Sequence, residues 1–232
     1  MTPSLRLLDG FELACGAVTI HLPLPAQRLL ALLALRDRPL ERTHVAGLLW
    51  LDSTEARASG SLRSALWKLR QAHPGLVQES GHRLALSPAV IVDVRESEAW
   101  ARRVLDPDEE LRPGDASAAS TRQELLPDWY DDWVALDRER LRQLRAHALE
   151  ALCTRLAESR RFGEAILVGL TAVAHEPYRE SAHRALISAH LAEGNRAEAV
   201  RQYGHCRRLL ADDLGFEPSE LMDELIAPIA AA

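Results

Sequence analysis

The sequence predicts a mainly α-helical chain with a small β component: an N-terminal domain of short strands and three helices, followed by a domain of paired helices. Three observations predict it. β-branched, alternating runs are confined to residues before Asp93; apolar residues recur at helical spacing through most of the rest; and the second half resembles itself when displaced by 34 residues. At 232 residues the chain is long enough for two small domains, each with its own core. We place the boundary at 92/93. Hydrophobic residues make up 47% and charged residues 27%, the balance of a folded chain and not of a disordered or fibrous one.

In "LRLLDGFEL" the pair Asp9-Gly10 marks a turn between two short strands, and "AVTIHL" alternates as a third. "PAQRLLALLALRD" follows, with Pro25 suited to a first helical turn and leucines at 29, 30, 32, 33 and 35 for a mostly buried helix. Thr43 is the expected N-cap of a shorter helix through Val45, Leu48 and Leu49 to Trp50. Ser53 or Thr54 opens a third helix to about Gln71, and "LVQESGHRLAL" then reads as a hairpin turning at Ser80-Gly81. From Asp93 the strand signals stop. "ESEAWARRVL" is helical, "DPDEELRPGDASAAST" (106–121) is a linker or inter-helix loop, and everything beyond Asp128 is helical. The 34-residue displacement pairs Ala148 with Ala182, Ala151 with Ala185, Leu152 with Leu186, Glu164 with Glu198, Ala165 with Ala199 and Ile166 with Val200. That is the period of a tetratricopeptide helix pair. Gly194 falls at the inter-helix turn of the second copy and Arg160 at that of the first.

The formal net charge is −6, but it is unevenly spread. Residues 1–92 hold ten Lys or Arg against seven acids, and 57–83 hold five against one. A polyanion can therefore be bound at one end of the chain. The basic excess centres on the third helix. At 100° per residue, Ala58, Leu62, Ala65, Leu66 and Leu69 share one side, which is core. The opposite side carries Arg57, Gly60, Ser61, Ser64, Lys68 and Gln71, with Arg63, Trp67 and Arg70 on the flanks. Small residues let a helix backbone settle into a groove, while Arg, Lys, Ser and Gln bond base edges and phosphates. The alternative is a solvated basic face without a partner. A buried helix, a short helix, a basic helix and a hairpin in that order make a winged helix-turn-helix, whose third helix enters the major groove and whose hairpin brings His82 and Arg83 to neighbouring phosphates or the minor groove.

"LPAQRLLALLALRDRPLERTHVAGLLWLDSTEARASGSLRSALWKLRQ" with its hairpin resembles the OmpR/PhoB-type winged-helix domain of SARP-type antibiotic regulatory proteins. "LLPDWYDDWVALDRERLRQLRAHALEAL" and "HEPYRESAHRALISAHLAEGNRAEAVRQYGHCRRLLADDLGFEPSEL" resemble their bacterial transcriptional activator domain. Where the related pattern reads Ala-Asn-Leu-Arg, this chain has Gly60, Ser61, Leu62 and Arg63. The resemblance implies binding to direct repeats in double-stranded DNA and contact with RNA polymerase or its sigma subunit. No receiver domain or ATPase module is expected with this architecture.

Other constellations carry less. "PDWYDDW" sets Asp128, Asp131 and Asp132 beside Trp129, Tyr130 and Trp133; the expectation is that Asp128 caps a helix and that Trp129 and Trp133 pack on one face, rather than a carboxylate catalytic site. His183 and His190 share a helix face, with His147, His175 and His205 on neighbouring helices, but no HxxxH or CxxC spacing accompanies them, so no metal is expected. Without GxGxxG or GxxxxGK, no nucleotide or other cofactor is expected. Cys15, Cys153 and Cys206 are read as buried small hydrophobes. No apolar run reaches membrane-spanning length and the N-terminus has no signal-peptide core, so the expected location is the cytoplasm, at the nucleoid when bound to DNA.

The reading is a sequence-specific DNA-binding regulator, an activator and not an enzyme. Arg57, Ser61, Ser64, Lys68 and Gln71 meet bases, Arg63, Arg70 and Arg83 meet phosphates, and His82 lies in the wing. One reading head covers too few base pairs, so a homodimer on repeated half-sites is expected, with no membrane partner. The alternatives are a helical-repeat interaction scaffold with a degenerate winged helix, for which Gly60 and Ser61 speak, and a small hydrolase built on the Asp128–Trp133 cluster.

Overall fold

The structure is a computed structural model and describes residues 2–120 and 123–230. The chain divides into two compact units, Met1–Ser97 with Gln123–Arg140 and Glu98–Arg122 with Leu141–Ala232.

In the first unit β1 (Pro3–Arg6), β2 (Glu12–Cys15) and β3 (Val18–Thr19) form a meander, with Leu5 opposite Leu13. The turn at Asp9 and Gly10 has φ of 60° and 139°, backbone angles that suit glycine and tolerate aspartate. Next, α1 (Leu24–Ala34) has Pro23 at its N-cap and Pro25 in its first turn, and its residues from Leu29 to Ala34 are all buried. The chain then makes the two-residue strand β4 (Leu40–Glu41), α2 (Arg42–Leu49), α3 (Glu55–Ala72), the hairpin β5 (Val77–Ser80) and β6 (Arg83–Leu86), and β7 (Ile91–Val92). Two sheets result, ordered β3-β2-β1-β7 and β4-β6-β5.

Sequence reasoning missed β4 and β7, because two residues are too few to show alternation; each is held by pairing to a strand distant in sequence, Leu40 to Leu84 and Leu5 to Val92. Thr43 is not an N-cap. Glu41 is still extended as the last residue of β4, so α2 starts at Arg42, whose N–H donates to His82 O at 2.8 Å. Thr54 does hold the N-cap position of α3, without a side-chain capping bond. The Asp93 carboxylate, just after β7, accepts the N–H groups of Leu7, Leu8 and Val94, and burial still pushes its pKa up.

Beyond Asp93 lie α4 (Asp93–Leu105), the one-turn α5 (Asp115–Ala119) and the long α6 (Asp132–Glu158). The loop expected over 106–121 thus contains a short helix, and Thr121 lies outside the described residues. Asp128 does not cap α6. Trp129 N–H turns back to Leu126 O, and the helix begins only at Asp132, with Val134 N–H on Asp131 O. Trp129 therefore sits outside the helix, yet it meets Trp133 edge-on at 6.3 Å and stacks on Phe11 at 6.0 Å.

In the second unit α6 pairs with α7 (Phe162–His175), and α8 (Glu180–Glu193) pairs with α9 (Arg196–Leu214), before α10 (Glu220–Ala230). Most of the displaced pairs are structurally equivalent: Ala148 and Leu152 are buried as are Ala182 and Leu186, and Ala165 and Ala199 are both fully buried, whereas Ile166 packs half-buried on the core and Val200 is exposed. The inter-helix turns match too. Arg161 N–H donates to Leu156 O at 2.9 Å and Asn195 N–H to His190 O at 2.8 Å, the same bond 34 residues on. Both turns need a left-handed residue, with φ of 58° at Arg160 and 94° at Gly194, so the repeat keeps the backbone and loses the glycine. Gly169 is a true close approach: a Cβ there would stand 3.0 Å from Leu186 and 3.1 Å from the Cys153 thiol. Cys153 and Cys206 are buried, their thiols pushed up to about 12 and about 11 by burial. Cys15, the last residue of β2, is only half-buried.

Candidate nucleic-acid interface

Five residues dock α3. Ala58, Leu62, Ala65, Leu66 and Leu69 are each at most 3% exposed, which leaves the polar stripe outward. Arg57, Arg63, Ser64, Lys68, Arg70 and Gln71 are exposed, and Ser61 is half-buried. Among the described residues no carboxylate pairs with Arg57, Arg63 or Lys68. Lys68 Nζ lies 4.9 Å from the centroid of the Trp67 ring, which is itself 53% exposed. Ser64 Oγ donates to Gly60 O at 3.2 Å, so its hydroxyl proton is spent within the helix. No packing demand explains Gly60: a Cβ there would meet only the flexible end of Arg63, at 3.7 Å.

The wing is tied to the helices at Glu79 and carries a second, exposed ion pair. Glu79 in β5 bridges Arg70 of α3 and Arg42 of α2, and Arg83 Nε donates to Glu41 Oε1 at 2.7 Å. Partial burial alone would raise the Glu79 carboxyl; hydrogen bonds and charge from Arg70 and Arg42 outweigh it and hold the pKa below its ordinary value. Gly81 turns the hairpin at φ 58°, and His82 is exposed at its tip. The sequence-predicted cations thus fall into two groups: Arg57, Arg63 and Lys68 are exposed with no carboxylate partner among the described residues, whereas Arg70 and Arg83 already hold carboxylates. Sequence reasoning missed Arg42 and Trp50, which line an open concavity of about 1340 Å3 together with Arg57, Gly60, Arg63 and Trp67. Their signal was weak, since both lie outside the basic helix.

The aromatic-acidic cluster is structural. Asp131 pairs with Arg28, Asp137 accepts from Arg36 at 2.6 Å, and Arg138 donates to the carbonyls of Leu125, Leu126 and Trp129. His183 is buried, with Nε2–H on Pro177 O and Nδ1 accepting from Gln202, each at 2.8 Å. Burial lowers its pKa and keeps it neutral. Among the described residues, no three His, Cys, Asp or Glu side chains converge as metal ligands, and no helix is long and apolar enough to cross a membrane.

The family model described as the bacterial transcriptional activator domain matches residues 93–230. The chain belongs to this family. The regulatory protein AfsR of Streptomyces coelicolor is 32% identical over 242 residues, an alignment covering 94% of this chain and 22% of AfsR. The chain therefore spans about a fifth of the length of that curated relative. The solved structure of Mycobacterium tuberculosis EmbR in complex with a low affinity phosphopeptide superposes with a TM-score of 0.74 at 21% identity, over 99% of this chain and 65% of that one. The family match and this likeness give the chain the SARP-type architecture, a winged helix followed by a tetratricopeptide-like activator domain.

Proposed function

We propose that the chain is a sequence-specific DNA-binding transcriptional activator, with residues 1–92 as the DNA-binding domain and 93–232 as the activator domain. The carrying observation is the outward face of α3, where Arg57, Arg63 and Lys68 stand without carboxylate partners among the described residues while the apolar stripe is buried. Arg57, Ser61, Ser64, Lys68 and Gln71 address base edges in the major groove; Arg63, Arg70 and Arg83 address phosphates, and His82 follows the wing. The bare backbone at Gly60 supports close approach of the helix to the duplex. Two chains on repeated half-sites supply the length of sequence that one head cannot, and the activator domain contacts RNA polymerase or its sigma subunit. The protein works in the cytoplasm, on the nucleoid. A gel shift on genomic fragments tests this: wild type gives a salt-sensitive shift that the Arg57→Ala, Lys68→Ala variant loses, and a wild type without such a shift overturns it.

A second reading, a peptide-binding scaffold with a degenerate winged helix, draws on the uncharged exposed face of α7 at Leu167 and Leu170. It requires partner capture in a protein that never shifts DNA.

A further inference from the structure

One carboxylate sits inside the cationic surface. Glu79 lies on the exposed strand β5, and its carboxylate is covered in part by the guanidiniums it holds: its side chain is 22% exposed, that of Arg70 60%. Its two oxygens serve two elements: Arg70 Nε donates to Oε1 at 3.0 Å and Arg42 pairs with Oε2. The Arg42 N–H in turn holds His82 O at the wing tip. Start of α2, end of α3 and hairpin are therefore joined through this side chain. The pair Arg83–Glu41 is different, with side-chain exposures of 63% and 48%, where water screens the attraction and little is held.

A carboxylate at such a place opposes phosphate, because it cancels one positive charge and occupies donors of two guanidiniums. A surface selected for affinity alone would not keep it. We propose that Glu79 is a specificity-setting positioning residue: it restrains Arg42 and Arg70 from indiscriminate phosphate contact and locks the wing in register with α3. It lowers affinity for every duplex and enlarges the margin between the right sequence and the wrong one, since specificity is a difference of affinities. The proposal rests on the DNA-binding reading above.

The test uses the full chain and two probes: a duplex enriched by wild type from a random-sequence pool, and a shuffled duplex of the same length and composition. Dissociation constants are measured across a salt series. Glu79→Gln is expected to bind the shuffled duplex about three- to tenfold more tightly, with a log–log salt slope steeper by about one and a preference for the selected duplex reduced by a similar factor. Glu79→Asp keeps the charge but is too short to bridge, so its slope should match wild type while its preference falls. Wild-type slope and preference in Glu79→Gln, parallel weakening on both duplexes, or an undiminished preference in Glu79→Asp each overturn the proposal. A wild type that enriches no duplex overturns the DNA-binding reading itself, and is told apart by that.

Discussion

Two helices of this chain are written in nearly the same letters. α3 contains "LRSALWKLR" and α6 contains "LRQLRAHAL", yet they use their cations in opposite ways. Along α6 three arginines turn inward on backbone carbonyls, Arg138 on Leu125, Leu126 and Trp129, Arg145 on Ala119 at 2.9 Å, and Arg155 on Val104, Asp106 and Glu109, while Arg142 pairs with Glu176 and Arg140 is exposed. These carbonyls lie in turns and at helix ends, where the guanidiniums add donors that the backbone supplies only in part, as at Leu126 O, which also accepts the Trp129 N–H. Along α3, Arg57, Arg63 and Lys68 are exposed and, among the described residues, pair with no carboxylate, while Arg70 holds Glu79. An arginine-rich helix is thus a fastener or a reading head according to what its neighbours leave unpaired, not according to its own composition.

The sharpest way to break this contrast is the Arg57→Ala, Lys68→Ala variant. Each lost contact is worth about 1–3 kcal/mol, so DNA affinity should fall about a hundredfold while the melting temperature stays put, as read by titration and calorimetry. Losing the fold instead would make α3 a fastener too. On α6 the outcome should invert. Arg145→Ala removes a 2% exposed guanidinium that also lies over the Trp100 ring at 5.5 Å, and Arg138→Ala removes a donor from three carbonyls, of which Leu126 O keeps the Trp129 N–H. Each should cost about 2–3 kcal/mol in urea unfolding, with the salt slope of DNA binding unchanged in the folded protein.

Acid supplies a smaller effect of the same sense. Since the folded pKa of His183 lies below its ordinary value of 6.5, its stabilising contribution is complete above that value and is lost as pH falls toward the lowered one. Unfolding midpoints should therefore drop between neutral and mildly acidic pH, and His183→Gln should flatten that drop; an unchanged pH dependence refutes the assignment. Smallest is Arg160→Gly at the end of the first helical pair. Relieving a left-handed arginine should raise stability by about 1 kcal/mol, bringing the turn into line with Gly194. A destabilised variant would mean that the Arg160 side chain holds something its backbone angle does not reveal.

Much of this was legible before any coordinates. The buried stripe of α3 follows from the spacing of Ala58, Leu62, Ala65, Leu66 and Leu69, and the helical pairs follow from the period that aligns Leu152 with Leu186. What escaped had no local signal. β4 and β7 are two residues each and exist only through partners far along the chain. Asp128 looked like a cap because its residue type suits one, but the turn at Leu126, φ 44°, delays the helix to Asp132. The engagement of Arg70 and Arg83 was equally hidden, since Glu79 and Glu41 lie 9 and 42 residues away from them.

By itself, then, the sequence determined which face of each helix is apolar, where turns fall, and which segment carries excess positive charge, because these depend on residue type and spacing along one element. Only the tertiary structure decided which charges remain available. A guanidinium is free or bound according to whichever carboxylate or carbonyl the folded chain brings beside it, and that is a property of three-dimensional neighbours, with no trace in the order of the residues.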